Sequence, residues 1–149
     1  MKTRTLTIAV MCAAATLVVN SASARDDRTH FKISEAMSAP DATAKLSQNI
    51  KFFFADAPHP AVEHSFGVFT SNKKSNGFGK EDKVACDWAF LSALITFQDR
   101  ALKEGGDAVI NIKSYYKSVP FSSATEYECG AGNVMVGVAL QGEVVKLKK

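Results

Sequence analysis

Apolar residues between positions 83 and 107 recur with the 3.6-residue period of an α-helix and predict the one long helix of this chain. They form two stripes on nearly opposite sides of that helix. Stripe one is Val84, Trp88, Leu91, Ile95 and Leu102, and stripe two is Cys86, Phe90, Ala93, Phe97 and Ala101. Because each stripe needs cover, we expect one to pack on a sheet and the other on a second layer, a loop segment or another subunit. Stripe two is the face on which we expect that partner.

Alternating apolar residues predict strands on both sides of the helix. Predicted strands precede the helix at 31–33, 50–54 and 65–71, a short helix starts at Pro40 and covers 40–46, and later strands lie at 108–116, 125–129 and 134–147. The residues expected to share a face are Ile50, Phe52 and Phe54 in one strand, Ala108, Ile110 and Ile112 in another, and Val134, Val136, Val138 and Leu140 in the last. Residues 56–64 and 72–79 are predicted connections. Gly105 or Gly106 is expected to end the helix and turn the chain sharply into a strand.

This order of elements predicts an α+β fold in which one long helix packs as a second layer on a mainly antiparallel sheet. The strands after the helix are expected to form an antiparallel meander.

Upstream, Lys2 and Arg4 precede an apolar run at 6–19, and a small-x-small pattern ends at Ala24. These features predict a signal peptide over 1–24 and a single domain over 25–149. The mature chain is therefore expected in the periplasm or secreted, with no transmembrane segment after cleavage.

Charge and cysteine content change once the signal peptide is removed. The 18 basic and 15 acidic residues of the whole chain become 16 and 15, so the mature protein has no global attraction to nucleic acid. Cys12 is lost, and in an exported protein the remaining Cys86 and Cys129 are expected to form a disulfide. The alternatives are two free buried thiols, or a redox pair in which Cys86 lies in an early turn of the helix.

Several segments carry a resemblance to known proteins. They are 86–94, 105–116, 126–133 and 137–140, including Gly-Asp-Ala-Val-Ile at 106–110 and Gly-Val-Ala-Leu at 137–140. With them the chain resembles small exported proteobacterial proteins commonly labelled "excinuclease ATPase subunit". The pattern of a helix followed by these two motifs is also similar to YbjQ-like and RcsF-like α/β domains. The YbjQ-like resemblance implies an oligomer-forming domain. The RcsF-like resemblance implies a disulfide-bearing envelope module, although RcsF-like domains have more cysteines than this chain.

The label "excinuclease ATPase subunit" finds no support in the residues and is a misnomer. A phosphate-binding loop requires Gly-x-x-x-x-Gly-Lys-Ser/Thr, so that backbone amides and a lysine can surround phosphates. Gly77-Phe78-Gly79-Lys80 has neither this spacing nor the hydroxyl residue, and the chain contains no Cys-x-x-Cys. We therefore expect neither excinuclease nor ATPase activity.

Two polar groups are candidate sites. Imidazole and carboxylate groups of His59, His64, Asp56 and Glu63, with His30 recruited, have the chemistry to bind zinc or copper, and the alternative is a solvated proline-rich loop. Lys73, Lys74, Lys80 and Lys83, flanked by Phe78, form a candidate basic patch for anionic lipid, lipopolysaccharide or an acidic partner, and the alternative is a solvated turn. Tyr115, Tyr116, Tyr127 and Phe121 are expected either to line an aromatic groove or to pack in the sheet.

We expect from these features a non-enzymatic binding or interaction module of the cell envelope that needs no cofactor. Its partner would be an envelope protein or a second copy of the chain. The alternatives are a metal-binding protein that uses the His59 and His64 loop, and an enzyme whose site the sequence does not identify.

Overall fold

The computed structural model describes residues 24–149, so all of the predicted signal peptide except its last residue lies outside the described part. The elements in chain order are β1 (Asp27–Lys32), α1 (Ile33–Ser38), α2 (Pro40–Lys45), β2 (Lys51–Phe54), β3 (Val62–Asn76), α3 (Asp82–Glu104), β4 (Ala108–Ser114), β5 (Glu126–Ala131) and β6 (Met135–Leu147). A short 3-10 turn at Tyr116–Ser118 follows β4. The predicted α+β class is confirmed, with one long helix and an open, mixed sheet of six strands.

Helix α3 ends at the glycine pair. Gly105 lies in the left-handed region with φ of 81°. The N–H of Gly106 donates to the Ala101 carbonyl at 2.8 Å, and the N–H of Gly105 donates to the Leu102 carbonyl at 3.3 Å. These two bonds form a Schellman motif, which pairs carbonyls that a helix end leaves free. Because β4 starts at Ala108, the predicted sharp turn from helix to strand is confirmed.

Stripe two, and not stripe one, packs on the sheet. All five members of stripe two are at most 1% exposed, whereas Val84, Trp88 and Leu102 of stripe one are exposed. The expectation that stripe two awaits a partner is therefore wrong. Ala85 and Ala89 lie beside stripe two and are fully buried. Their small side chains let the helix approach the sheet closely, which the bulkier Val84 and Trp88 side would not allow.

Strand β6 is the centre of the sheet. One of its edges pairs with β3 along nearly the whole length, and the other pairs first with β5 and then with β4. Strand β1 extends the sheet beyond β5, and β2 extends it beyond β4 in a parallel pairing. The sheet thus divides into two arms, β5–β1 and β4–β2. The predicted meander is wrong, because β4 pairs with β6 instead of with β5.

A bulge in β4 changes which of its residues face α3. Asn111 has a left-handed φ of 53°, and the register between β4 and β6 shifts after Ile110. As a result, Val109 and Ile112 belong to the main core, whereas Ala108 and Ile110 belong to a separate cluster. The prediction that Ala108, Ile110 and Ile112 share a face is wrong, because one inserted residue reverses the alternation of side chains.

Strand β3 is longer than the sequence predicts. Its last residues, through Asn76, pair with β6, although 72–79 was expected to be a connection. The pairing with β6 outweighs the turn preference of asparagine and lysine in this segment. Strand β1 also begins before the predicted strand at 31–33, and Ile33 opens α1 instead of ending β1.

Aromatic rings stack in the core under α3. The ring of Phe90 lies 4.2 Å from that of Tyr127 and 6.0 Å from that of Phe54, measured between centroids. Ile50, Phe52 and Phe54 all contribute to this cluster, which confirms their predicted common face.

Asp107 joins the start of β4 to the end of β6. One carboxylate oxygen accepts the N–H of Leu147 at 2.8 Å, and the other lies 3.0 Å from Nζ of Lys146. Partial burial on its own would raise the pKa of Asp107. The Leu147 N–H and the Lys146 ammonium favour the carboxylate more strongly, so its pKa lies below the ordinary value.

The substitution Asp107→Asn is expected to lower the free energy of unfolding by about 0.5–1 kcal/mol at neutral pH, because the amide keeps an acceptor for Leu147 but loses the ion pair. A folded pKa below the unfolded value stabilises the protein above about pH 4, and this stabilisation is lost as pH falls through the folded pKa. Urea unfolding of both proteins from neutral to strongly acidic pH measures the difference, which should shrink as the carboxylate is protonated. A difference that does not depend on pH would contradict this role of the charge.

Candidate binding surfaces

The predicted disulfide is present. Sγ of Cys86 on α3 bonds to Sγ of Cys129 on β5 at 2.06 Å, with the two Cα atoms 6.0 Å apart. Both cysteines are completely buried. The bond excludes two free thiols, and the burial keeps a redox partner from either sulfur. The disulfide therefore joins the first turns of α3 to the sheet.

A polar network surrounds the start of α3. The Tyr127 hydroxyl donates to Oδ1 of Asp87 at 2.5 Å, and Nζ of Lys83 lies 2.8 Å from Oδ2 of Asp87 and 3.5 Å from Oε2 of Glu35. Burial, followed by the neighbouring Asp87 carboxylate, raises the pKa of Tyr127 far above its ordinary value. The phenol thus remains a hydrogen-bond donor. Lys83 pairs with both carboxylates, and its pair with Glu35 links α3 to α1.

The four lysines of the predicted basic patch do not share one surface. Lys73 and Lys74 are neighbours on β3, so their side chains lie on opposite faces of the sheet. Lys83 is held in the network with Asp87. Lys80 is exposed in the connection between β3 and α3. The structure thus divides the predicted patch into separate cations.

The two histidines of the predicted metal site pack against different aromatic residues. His59 lies in the loop before β3, with its ring 5.5 Å from that of Phe53 and its Nδ1 2.8 Å from the Pro60 carbonyl. His64 lies on β3, with its ring 4.7 Å from that of Phe66. Each imidazole therefore has its own packing partner in the described structure.

The other members of that predicted site are also dispersed. Asp56 lines a groove on the sheet face that is turned away from α3, Glu63 is exposed on β3, and Nε2 of His30 lies 3.5 Å from Oε2 of the buried Glu128. Within residues 24–149, no three His, Cys, Asp or Glu side chains form a group that could hold a metal ion. Metal binding by His59 and His64 stays a prediction, and this geometry adds no support to it.

The candidate aromatic residues lie on both faces of the sheet. Tyr127 is in the core under α3, whereas the Tyr116 ring lies on the other face against Gly130 and Gly137. A Cβ atom at Gly130 would come within 2.0 Å of Cζ of Tyr116, so glycine is required for this contact. Phe121 instead packs on the ring of His30 at 4.4 Å. Tyr116, Tyr127 and Phe121 therefore pack at three different places in the fold and do not line a common groove.

Most of the residues that line the groove beside Asp56 have polar or charged side chains. The groove has a volume of about 430 Å³, and its walls include Asn111, Lys113, Gln141 and Glu143. Ala55 and Asn111, which both line it, have left-handed φ values of 52° and 53°. Non-glycine residues in this conformation are uncommon and occur often near functional sites. The groove therefore combines polar side chains with two uncommon backbone conformations.

The β3–α3 connection, the β5–β6 turn and the first residue of β6 expose apolar side chains at one end of the sheet, and sequence reasoning missed this surface. We define the apolar tip as Phe78, Val134 and Met135, which are 72%, 57% and 46% exposed. The N–H of Gly77 donates to the Val134 carbonyl at 2.8 Å and so joins the β3–α3 connection to the β5–β6 turn. Val134, which the sequence assigns to the buried face of the last strand, lies before β6 begins and faces water.

Hydrogen bonds fix the turn that carries Phe78. The Asn76 Oδ1 accepts the N–H of Phe78 at 2.9 Å, and the N–H of Lys80 donates to the Gly77 carbonyl at 3.1 Å. Gly79 supplies the left-handed φ of 70° that this turn requires at its third position. Phe78 is therefore presented to solvent by an ordered backbone. Neighbouring exposed apolar residues in such a position are typical of an interaction site.

Comparison of the chain with protein-family models, with curated proteins and with solved structures finds no match. In the described range, none of the helices is long and apolar enough to cross a membrane.

Proposed function

We propose that this chain is a non-enzymatic binding module of the cell envelope, exported to the periplasm or secreted, and that it docks on a partner protein through the apolar tip. The observation that carries the proposal is the exposure of Phe78 on a turn whose backbone is already fixed. A preorganised aromatic anchor binds with a small loss of conformational entropy, which is why such residues dominate many interfaces.

The disulfide supports the compartment in this proposal. Disulfides persist in oxidising environments such as the periplasm, and small exported domains use them to supplement a limited core. The signal peptide predicted over residues 1–24 supports the same compartment.

We also propose, as finer features of the fold, that α3 and the sheet form two layers and that the domain is of the YbjQ-like or RcsF-like type.

The substitution Phe78→Ala is expected to reduce retention of the partner at least tenfold, because loss of a central aromatic anchor commonly costs 2 kcal/mol or more of binding free energy. The measurement is quantitative capture from envelope extract on the immobilised, oxidised protein. Val119→Ala provides the matched control, because Val119 is 48% exposed and does not belong to the apolar tip.

Equal retention by the parent protein and by Phe78→Ala would contradict the proposal, as would an equal loss with Val119→Ala. Light scattering of the purified protein identifies the case in which the partner is a second copy. A dimer that Phe78→Ala dissociates would then assign the apolar tip to self-association.

A further inference from the structure

Two hollows lie side by side between β2 and the segment that joins β1 to β2. The first has a volume of about 430 Å³, and its apolar lining includes Ile33, Met37, Phe52 and Phe54. The second has a volume of about 210 Å³ and shares Met37 and Phe52 with the first. Because Met37 and Phe52 line both hollows, the hollows adjoin at these two side chains, and we name the pair the β2 groove.

The two ends of the β2 groove differ in charge. The polar residues of the smaller hollow are Thr43, Ser47, Gln48 and Lys51, and no carboxylate lines it. Lys51 is exposed and forms no ion pair within residues 24–149. The larger hollow has Glu126 on its rim, and its Lys32 is paired with Glu35 at 3.6 Å. An anionic group is therefore favoured at the smaller hollow and disfavoured at the far end of the larger one.

The wall of the β2 groove is adaptable at its centre and fixed at one end. Met37 is only partly buried, and its unbranched thioether side chain can take several shapes. At the smaller hollow, the Gln98 side chain from α3 accepts the N–H of Ser47 at 2.5 Å and donates to the Lys45 carbonyl at 3.3 Å. A ligand can therefore displace Met37 while Ser47 and Lys45 stay in place.

We propose that the β2 groove binds a single-chain amphiphile with an anionic head group. The head lies at Lys51, and the hydrocarbon chain runs between Met37 and Phe52 toward Phe54. Apolar walls with a small number of polar groups that orient the ligand are the usual composition of a small-ligand site of this volume. This binding site is separate from the apolar tip, so the proposal goes beyond the proposed function and does not depend on it.

Calorimetric titration of the oxidised protein with sodium dodecanoate, below its micellar concentration, tests the proposal. We expect saturable binding of one chain. Sodium decanoate, which is two methylenes shorter, should bind about fifteenfold more weakly, because each buried methylene contributes about fourfold to affinity. Lysophosphatidylglycerol of the same chain length forms a second arm. Tighter binding of this lipid would identify a lipid head group, and tighter binding of dodecanoate would identify a free fatty acid.

Two substitutions locate the ligand. Lys51→Gln should weaken dodecanoate binding about tenfold, whereas the control Lys103→Gln, at an exposed lysine on α3, should leave it within twofold. Met37→Trp should fill the groove and abolish binding, with retention of the fold checked by thermal unfolding. Phe78→Ala should bind dodecanoate as the parent does.

Three results would overturn the proposal. They are the absence of saturable binding below the micellar concentration, equal affinity for dodecanoate and decanoate, and equal effects of Lys51→Gln and Lys103→Gln. The comparison of chain lengths uses only the parent protein, so it decides the matter even if Met37→Trp does not fold.

Discussion

Replacing both Cys86 and Cys129 by alanine is expected to lower the free energy of unfolding by about 4 kcal/mol. The two cysteines are 43 positions apart in sequence, and the disulfide closes this long loop in the unfolded chain as well as in the folded one. Loss of the bond restores that conformational freedom to the unfolded state and so stabilises it relative to the native state. Since domains of this size are stable by about 5–15 kcal/mol, the expected loss is about a quarter to four fifths of the total stability.

Guanidinium unfolding of the parent protein and the double variant measures this loss. The parent protein unfolded in the presence of a reducing agent is the matched comparison, because it breaks the bond without changing the sequence. A loss below about 1 kcal/mol in both experiments would show that the unfolded chain is not constrained by the disulfide in the expected way.

The substitution Phe90→Ala is expected to cost about 3–5 kcal/mol of the free energy of unfolding. Phe90 is 1% exposed and lies between the rings of Phe54 and Tyr127, so its removal leaves a cavity that rigid neighbours cannot fill. Tyr127 cannot shift to fill this cavity without breaking a contact, because its hydroxyl is hydrogen-bonded to Asp87 and Cys129, on the same strand, is bonded covalently to α3.

Phe78→Ala is the matched control for this prediction. It deletes the same side chain from a site that is 72% exposed, and we expect a change within about 0.5 kcal/mol. Denaturant unfolding with a common slope compares the two variants. If Phe90→Ala cost less than about 1.5 kcal/mol, or Phe78→Ala cost more than that, the assignment of Phe90 to the core and of Phe78 to the exposed surface would be wrong.

The long helix shows what the sequence can and cannot predict. Its existence and its end follow from apolar periodicity and from Gly105, which are local signals. The choice of the buried stripe depends on how closely the helix can approach the sheet, and periodicity does not report this. The repeated small residues Ala85, Ala89 and Ala93 were the available signal, because they mark the side on which two backbones can come together.

Other features depend on contacts between distant segments. The left-handed Asn111 reverses the faces of β4, and the only local signal is that asparagine tolerates this conformation better than most residues do. The end of β3 is held by its pairing with β6, against the turn preference of its own residues. The apolar tip depends on the hydrogen bond between Gly77 and Val134, which brings two separate connections together at one end of the sheet.

The attachment of α3 at both ends determines where this protein can open locally. One end is bonded covalently through Cys86, and the other continues through Gly105 into β4. The helix therefore cannot detach as an independent unit. Its backbone amides should exchange their hydrogens with solvent only on global unfolding. The segment that holds α1 and α2 has only six-residue helices without side-chain caps. Local unfolding at low free-energy cost is therefore expected in that segment. The same segment forms one wall of the β2 groove, so its opening would admit a ligand without unfolding the core.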